Sequence, residues 1–232
     1  MTPTAALFDF NGVLVDDERL HLAGFNEVLA PLGVRVSDED YDARYIGFDD
    51  RGAFRAMLAD HALPCDDARV AALIEAKRGV YLRLAEVELR VFPGAAEALR
   101  EVSAAMPLAI VSGALRGEIE MALALMGARD AVLDVVSAED TRACKPDPEG
   151  YLLGLAALRA RGHDVVAARC VAVEDSVAGI AAARAAGMKV VGVAQSHPPE
   201  ALRDAGADLV LMSVAELRAA HIAALGSRGE VR

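Results

Sequence analysis

Six residues have the types and spacing to do chemistry together: Asp9, Asn11, Ser112, Lys145, Glu174 and Asp175. Asp9 ends a short apolar run and Gly12 follows three residues later. Ser112-Gly113 closes Pro107-Leu108-Ala109-Ile110-Val111, and Glu174-Asp175-Ser176 closes Cys170-Val171-Ala172-Val173. Short apolar runs read as strands buried in a parallel sheet, and ligands collect beyond the carboxyl ends of such strands. Asp9 and Asp175 offer hard oxygen ligands suited to a magnesium ion that keeps several waters. Ser112 and the Gly113 amide, read as a helix start, suit an anion. Lys145, in Lys145-Pro146-Asp147-Pro148, adds a point charge for phosphate oxygens and for Asp9. With metal and lysine offsetting anionic repulsion, Asp9 could attack phosphorus.

Each residue alone has a plainer explanation. Aspartate at a strand end, serine before glycine and Glu-Asp-Ser are all ordinary turn or helix-cap formers. Their joint placement at strand ends and adjoining loops is what separates a site from a set of caps.

Elements that could position them follow in order. Asp16 and Asp17 suit a helix cap, Glu18 charges its first turn, and His21, Phe25, Val28, Leu29 and Leu32 share one face up to Gly33. From Ser37 to Glu88 the pattern stays helical, broken by an exposed loop at Gly47-Phe48-Asp49-Asp50-Arg51-Gly52 and again at Pro64-Cys65-Asp66-Asp67. Strand–helix alternation resumes after Phe92-Pro93-Gly94. Val132 to Val136, Val190 to Val193 and Leu209 to Leu211 are further strands, Val214 to Leu225 is a closing helix, and the tail from Gly226 is expected to fray. The fold class is α/β: a doubly wound, Rossmann-like parallel sheet over 1–15 and 90–232, with an all-helical insert over 16–89.

Composition sets outer limits. In 232 residues, 54% are hydrophobic, enough for a sizeable core. The formal net charge of −11 argues against a nucleic-acid surface, which is basic. It leaves room for a small phosphorylated metabolite in a locally positive pocket. The three cysteines are scattered, no apolar run approaches a membrane span, and the N-terminus has no basic region. A cytoplasmic protein without membrane association is expected.

The chain resembles the haloacid dehalogenase superfamily, in its β-phosphoglucomutase-like branch with a helical cap. The likeness runs from Ala6 to about Leu217 and rests on Phe-Asp-Phe-Asn-Gly-Val-Leu-Val-Asp, Val-Ser-Gly, Lys-Pro-Asp-Pro and Val-Glu-Asp-Ser-Val-Ala-Gly-Ile. It implies Asp9 as nucleophile, and Mg²⁺ held by Asp9, Asp175 and the backbone carbonyl of Asn11, with Glu174 holding the metal's waters. Ser112, Gly113 and Lys145 would bind the phosphoryl group, the insert would act as a cap, and a monomer is the default. Most members carry a second aspartate where this chain has Asn11, and a hydroxyl residue where it has Ala114. An amide cannot shuttle a proton, and general acid–base catalysis is worth about 10²–10⁴ in rate. A slow phosphatase is therefore expected, with a sugar-phosphate mutase or a weakened phosphometabolite- or partner-binding protein as alternatives. His21 matches a cap histidine of the mutases and could carry the proton, though a histidine on an apolar helix face is the simpler account. Arg51 and Lys77 could grip a distal substrate anion; otherwise they are solvated charges.

Overall fold

The computed structural model describes residues 3–227. Its strands are β1 (Ala5–Phe8), β2 (Val15–Asp16), β3 (Arg90–Val91), β4 (Leu108–Val111), β5 (Asp134–Val136), β6 (Cys170–Glu174), β7 (Lys189–Val193) and β8 (Leu209–Leu211). Six of them form one sheet in the order β5-β4-β1-β6-β7-β8, every neighbouring pair parallel. β1, β4 and β6 are buried at every position, as expected for strands covered on both faces. Alternate residues feed two cores: Ala6 and Phe8 point into one, Ala5 and Leu7 into the other.

The helices are α1 (Glu18–Leu29), α2 (Asp38–Arg44), α3 (Asp50–Asp60), α4 (Asp67–Glu88), α5 (Ala95–Ala105), α6 (Arg116–Leu125), α7 (Glu149–Ala160), α8 (Val177–Ala185), α9 (Pro199–Asp204) and α10 (Ala219–Ser227). The first four form a layer around their own apolar cluster, with Phe25, Leu29, Tyr41, Phe54, Met57 and Leu58 buried in it. Phe25 and Phe54 meet edge to face at 4.9 Å. The chain enters and leaves this layer through β2 and β3, which pair antiparallel, Val15 opposite Val91 and Asp16 opposite Arg90.

Several expectations change at the element ends. The loop expected over Gly47 to Gly52 is half helix: α3 starts at Asp50, because the Asp49 carboxylate accepts the Gly52 amide at 2.7 Å. Ser112-Gly113 is not a helix start; three residues separate Ser112 from α6. Asp17 occupies the cap position of α1 without capping it, its carboxylate being taken by side chains, and Asp16 is exposed in β2. The closing helix is split: Ser213 caps a short 3₁₀ turn over Val214–Glu216, Leu217 is extended, and α10 begins afresh at Ala219. β5 starts at Asp134, because residues 129–131 form a 3₁₀ turn before it. α10 continues past Gly226 to Ser227, and the rest of the tail expected to fray lies outside the described residues. Among the described residues no helix is long and apolar enough to cross a membrane.

Candidate active site

Three adjacent strand ends converge. Asp9 follows β1 and its amide donates to Val173 of β6 at 2.9 Å; the Ser112 amide follows β4 and donates to Val136 at 3.0 Å; Glu174 ends β6 and Asp175 follows it. Lys145 arrives from the loop before α7 and crosses between them. Its Nζ lies 2.8 Å from Asp9 Oδ1, 2.6 Å from Glu174 Oε1 and 3.2 Å from the Val111 carbonyl.

Oxygens of Asp9, Glu174 and Asp175 all lie within 4.8 Å of one another, and all three residues are buried. Burial pushes the Asp9 carboxyl up to about 6, against the pull of Lys145. Burial, then the charges of Asp9 and Glu174, lifts Asp175 well above the usual carboxylate range. Lys145 goes up as well: burial alone would lower it, but two carboxylates outweigh that. Three carboxylates thus share one ammonium, and the arrangement lacks positive charge. A hard divalent cation matches that deficit and the all-oxygen donor set. The backbone is shaped around these groups. A Cβ on Gly12, whose φ is +73°, would lie 2.0 Å from Asp175 Oδ2, and one on Gly179 would lie 2.0 Å from Glu174 Oε2. Tyr151 donates to Glu174 Oε1 at 2.5 Å and so fixes it from α7.

Asn11 sits in the turn after β1, and its amide is fully engaged. Oδ1 accepts from Ser112 Oγ at 3.1 Å, while Nδ2 donates to both Asp17 oxygens at 3.0 and 2.9 Å and lies 3.3 Å from His21 Nε2. Asp17, 1% exposed, also accepts from Tyr81 and pairs with His21. Burial and the nearby Lys77 disfavour an imidazolium at His21, but Asp17 outweighs them and the pKa rises to about 8.

The cap residues divide. His21 lines the cavity, but as part of a polar cluster rather than as a lone histidine on an apolar face. Lys77 is neither a solvated charge nor a free grip for an anion. Its side chain has no exposure, and its Nζ lies 2.5 Å from Asp50, 2.8 Å from His21 Nδ1 and 4.5 Å from the Phe25 ring centre. The signal was present, since Lys77 stands four residues from both Leu73 and Tyr81 on the inward face of α4. Arg51 is exposed on α3 and does not line the cavity. Sequence reasoning weighed Asp17 as a stand-in proton carrier but favoured a cap for it, and it missed Tyr81, Asp50, Glu118 and Tyr151 as members of the site region. Tyr151 and Glu118 carry no local motif that marks them; both are placed by helix packing alone.

A cavity of about 600 Å³ lies between the helical layer and the strand ends, and Asp9, Asn11, Ser112, Gly113, Lys145, Asp175, His21, Asp50, Glu118 and Tyr151 are among the residues lining it.

Comparison with known proteins agrees with this geometry. The family of haloacid dehalogenase-like hydrolases matches residues 6–193. The chain is 33% identical to validoxylamine A 7'-phosphate phosphatase of Streptomyces hygroscopicus subsp. limoneus, over 94% of this chain and 97% of that one. It superposes on CbbY from Rhodobacter sphaeroides, solved in complex with phosphate, with a TM-score of 0.80 at 29% identity, covering 93% and 96% of the two chains. β-Phosphoglucomutase from Clostridium difficile shares the fold, with a TM-score of 0.84 at 24% identity over 100% of both chains. The buried carboxylates around Lys145, the parallel sheet that presents them and these likenesses agree: the chain belongs to the haloacid dehalogenase-like hydrolases.

Proposed function

We propose that this protein is a Mg²⁺-dependent phosphatase of a small phosphorylated metabolite, a sugar phosphate being the nearest class, acting through an aspartyl-phosphate on Asp9. The observation that carries the reading is the buried Asp9 carboxylate, 2.8 Å from the Lys145 ammonium inside a carboxylate cluster at the mouth of the sheet. Phosphatases among its relatives, such as that for validoxylamine A 7'-phosphate, support the reaction class.

An Asp9 oxygen bonds to phosphorus as the ester P–O bond breaks, and the departing alkoxide takes up a proton. Water then bonds to phosphorus, the Asp9–phosphorus bond breaks, and the proton lost by the water leaves with a base; the products are phosphate and the regenerated carboxylate. Lys145 balances charge on Asp9 and on the phosphoryl oxygens, and Ser112 and Gly113 stand at the phosphate end of the cavity. Asp9, Asp175 and the Asn11 backbone carbonyl would hold Mg²⁺, with Glu174 orienting its waters; the ion supplies a Lewis acid for the phosphoryl oxygens. The helices of 16–89 serve as a cap that excludes bulk water and selects the alcohol.

Neither proton transfer can run through Asn11. His21 lies 3.3 Å from the Asn11 amide, but it is tied to Asp17 and Lys77, so turnover is slow. We place the enzyme in the cytoplasm as a monomer; the free thiols of Cys65, Cys144 and Cys170 suit a reducing compartment.

The test is phosphate release from a panel of phosphorylated metabolites, with and without Mg²⁺, for wild type, Asp9→Ala and Asn11→Asp. Release abolished by Asp9→Ala and by chelation is expected. A carboxyl at position 11 would face Asp17, whose charge favours its protonated form, and the acid so poised should speed turnover. No release above the Asp9→Ala background would favour a binding protein, and interconversion of glucose 1- and 6-phosphates with a bisphosphate primer would favour a mutase. Slower turnover in Asn11→Asp would overturn the account of Asn11.

A further inference from the structure

One wall of the cavity is acidic, and its charges are unevenly matched. Glu18, Asp49, Asp50 and Glu118 line it beside Phe25, Tyr41 and Phe48. Glu18 accepts from Tyr41 and Asp49 caps α3, so both are engaged. The other two are only half satisfied. Glu118, 1% exposed on α6, accepts the Leu115 amide through Oε2 at 3.1 Å, but its Oε1 is buried with no partner. Asp50 on α3 accepts from Lys77 through Oδ1, while its Oδ2 is likewise buried without a partner. One oxygen comes from the helical layer and the other from the sheet layer, and both residues line the same space.

Buried acceptors call for donors, and the protein does not supply them. Among the described residues lining the cavity, Lys145 is the one lysine or arginine, and it stands at the Asp9 end. Lys77 and His21 are spent on Asp50, Asp17 and each other. A second phosphate beside Asp50 and Glu118 would bring acceptors and negative charge against acceptors. A hydroxyl would supply a donor, and an ammonium would supply donors and the missing charge as well.

We infer that the alcohol this enzyme releases carries hydrogen-bond donors opposite Asp50 and Glu118, an ammonium in preference to a hydroxyl, and no second phosphate. The substrate class is the monophosphate of an amino sugar or amino polyol. This inference rests on the phosphatase reading above.

The test is binding to Asp9→Asn in the presence of Mg²⁺, which does not require turnover. The ligands are glucosamine 6-phosphate and 1-amino-1-deoxyglucitol 6-phosphate, each against its hydroxyl parent, with glucose 1,6-bisphosphate and inorganic phosphate alongside. At least one amine should bind about tenfold tighter than its parent, the step expected when a neutral hydrogen bond becomes charge-assisted. The bisphosphate should bind weakest. Glu118→Gln keeps an acceptor for the Leu115 amide and should erase the amine advantage while leaving inorganic phosphate unchanged; Asp50→Asn gives the same readout should the first variant fold poorly. Phosphate binding with no amine preference, or with the bisphosphate tightest, would overturn this inference alone. Failure of all these ligands, inorganic phosphate included, would overturn the phosphatase reading and this inference with it.

Discussion

Replacing Lys77 by methionine keeps the length of the side chain and removes its ammonium from a site with no exposure. Two unit charges about 3 Å apart attract by about 5.5 kcal/mol at an effective dielectric constant of about 20. Desolvation of the lysine offsets part of that in wild type, but in the variant the carboxylate of Asp50 stays behind. Its other oxygen already lacks a partner, so the group would be wholly unpaired. Breaking a buried pair from one side costs about 3–5 kcal/mol. The cation over Phe25 also disappears. We therefore expect urea denaturation at pH 7.5 to give a loss of 3–5 kcal/mol, with more than half regained in Lys77→Met/Asp50→Asn. A loss below about 1 kcal/mol, the size for an exposed ion pair, would refute the enclosure of this ammonium between α3 and α4.

Burial holds the Glu118 carboxyl above its ordinary value, against His21 and Lys77. A carboxyl that binds its proton more tightly when folded destabilises the fold only above its unfolded pKa, and increasingly so as pH rises toward the folded one. Glu118→Gln should therefore raise Tm at pH 8, with the gap closing toward pH 4; a gap that widens toward acid would contradict this. Gly179→Ala drives a methyl into the Glu174 carboxylate and should weaken Mg²⁺ binding by about 10–100-fold in a calorimetric titration. Tyr151→Phe removes the 2.5 Å hydrogen bond to buried Glu174 and should cost about 1–3 kcal/mol in denaturant unfolding. Arg51→Ala, exposed and away from the cavity, should leave phosphate release unchanged across the panel.

The centre of the parallel sheet was readable because its strands are apolar runs, as Cys170-Val171-Ala172-Val173 is, and because β1, β4 and β6 each run into a polar group that a buried strand could not continue. That property also exposed Asp9, Ser112 and Asp175. Lys145 was legible from its loop and its neighbouring prolines, and the structure sets it between Asp9 and Glu174. Reading by local pattern failed where the partner lies far along the chain. Asp17 looks like a cap because its neighbours begin a helix, yet its carboxylate serves Asn11, His21 and Tyr81, the last of these 64 residues away. Lys77 looks like a surface charge until α3 brings Asp50 to it. Glu118 accepts the Leu115 amide at the start of α6, a local role that uses one of its oxygens and is silent about the other.

The antiparallel pair of β2 and β3 has a consequence for how such a protein diversifies. Val15 lies opposite Val91, so the chain departs for the helical layer and returns from it at a single place. Everything between could be excised or exchanged by splicing at two adjacent positions, without moving a strand of the sheet or any of Asp9, Ser112, Lys145 and Asp175. On the reading proposed above, redrafting that one contiguous segment would reshape the helical wall of the cavity and leave the strand ends in place.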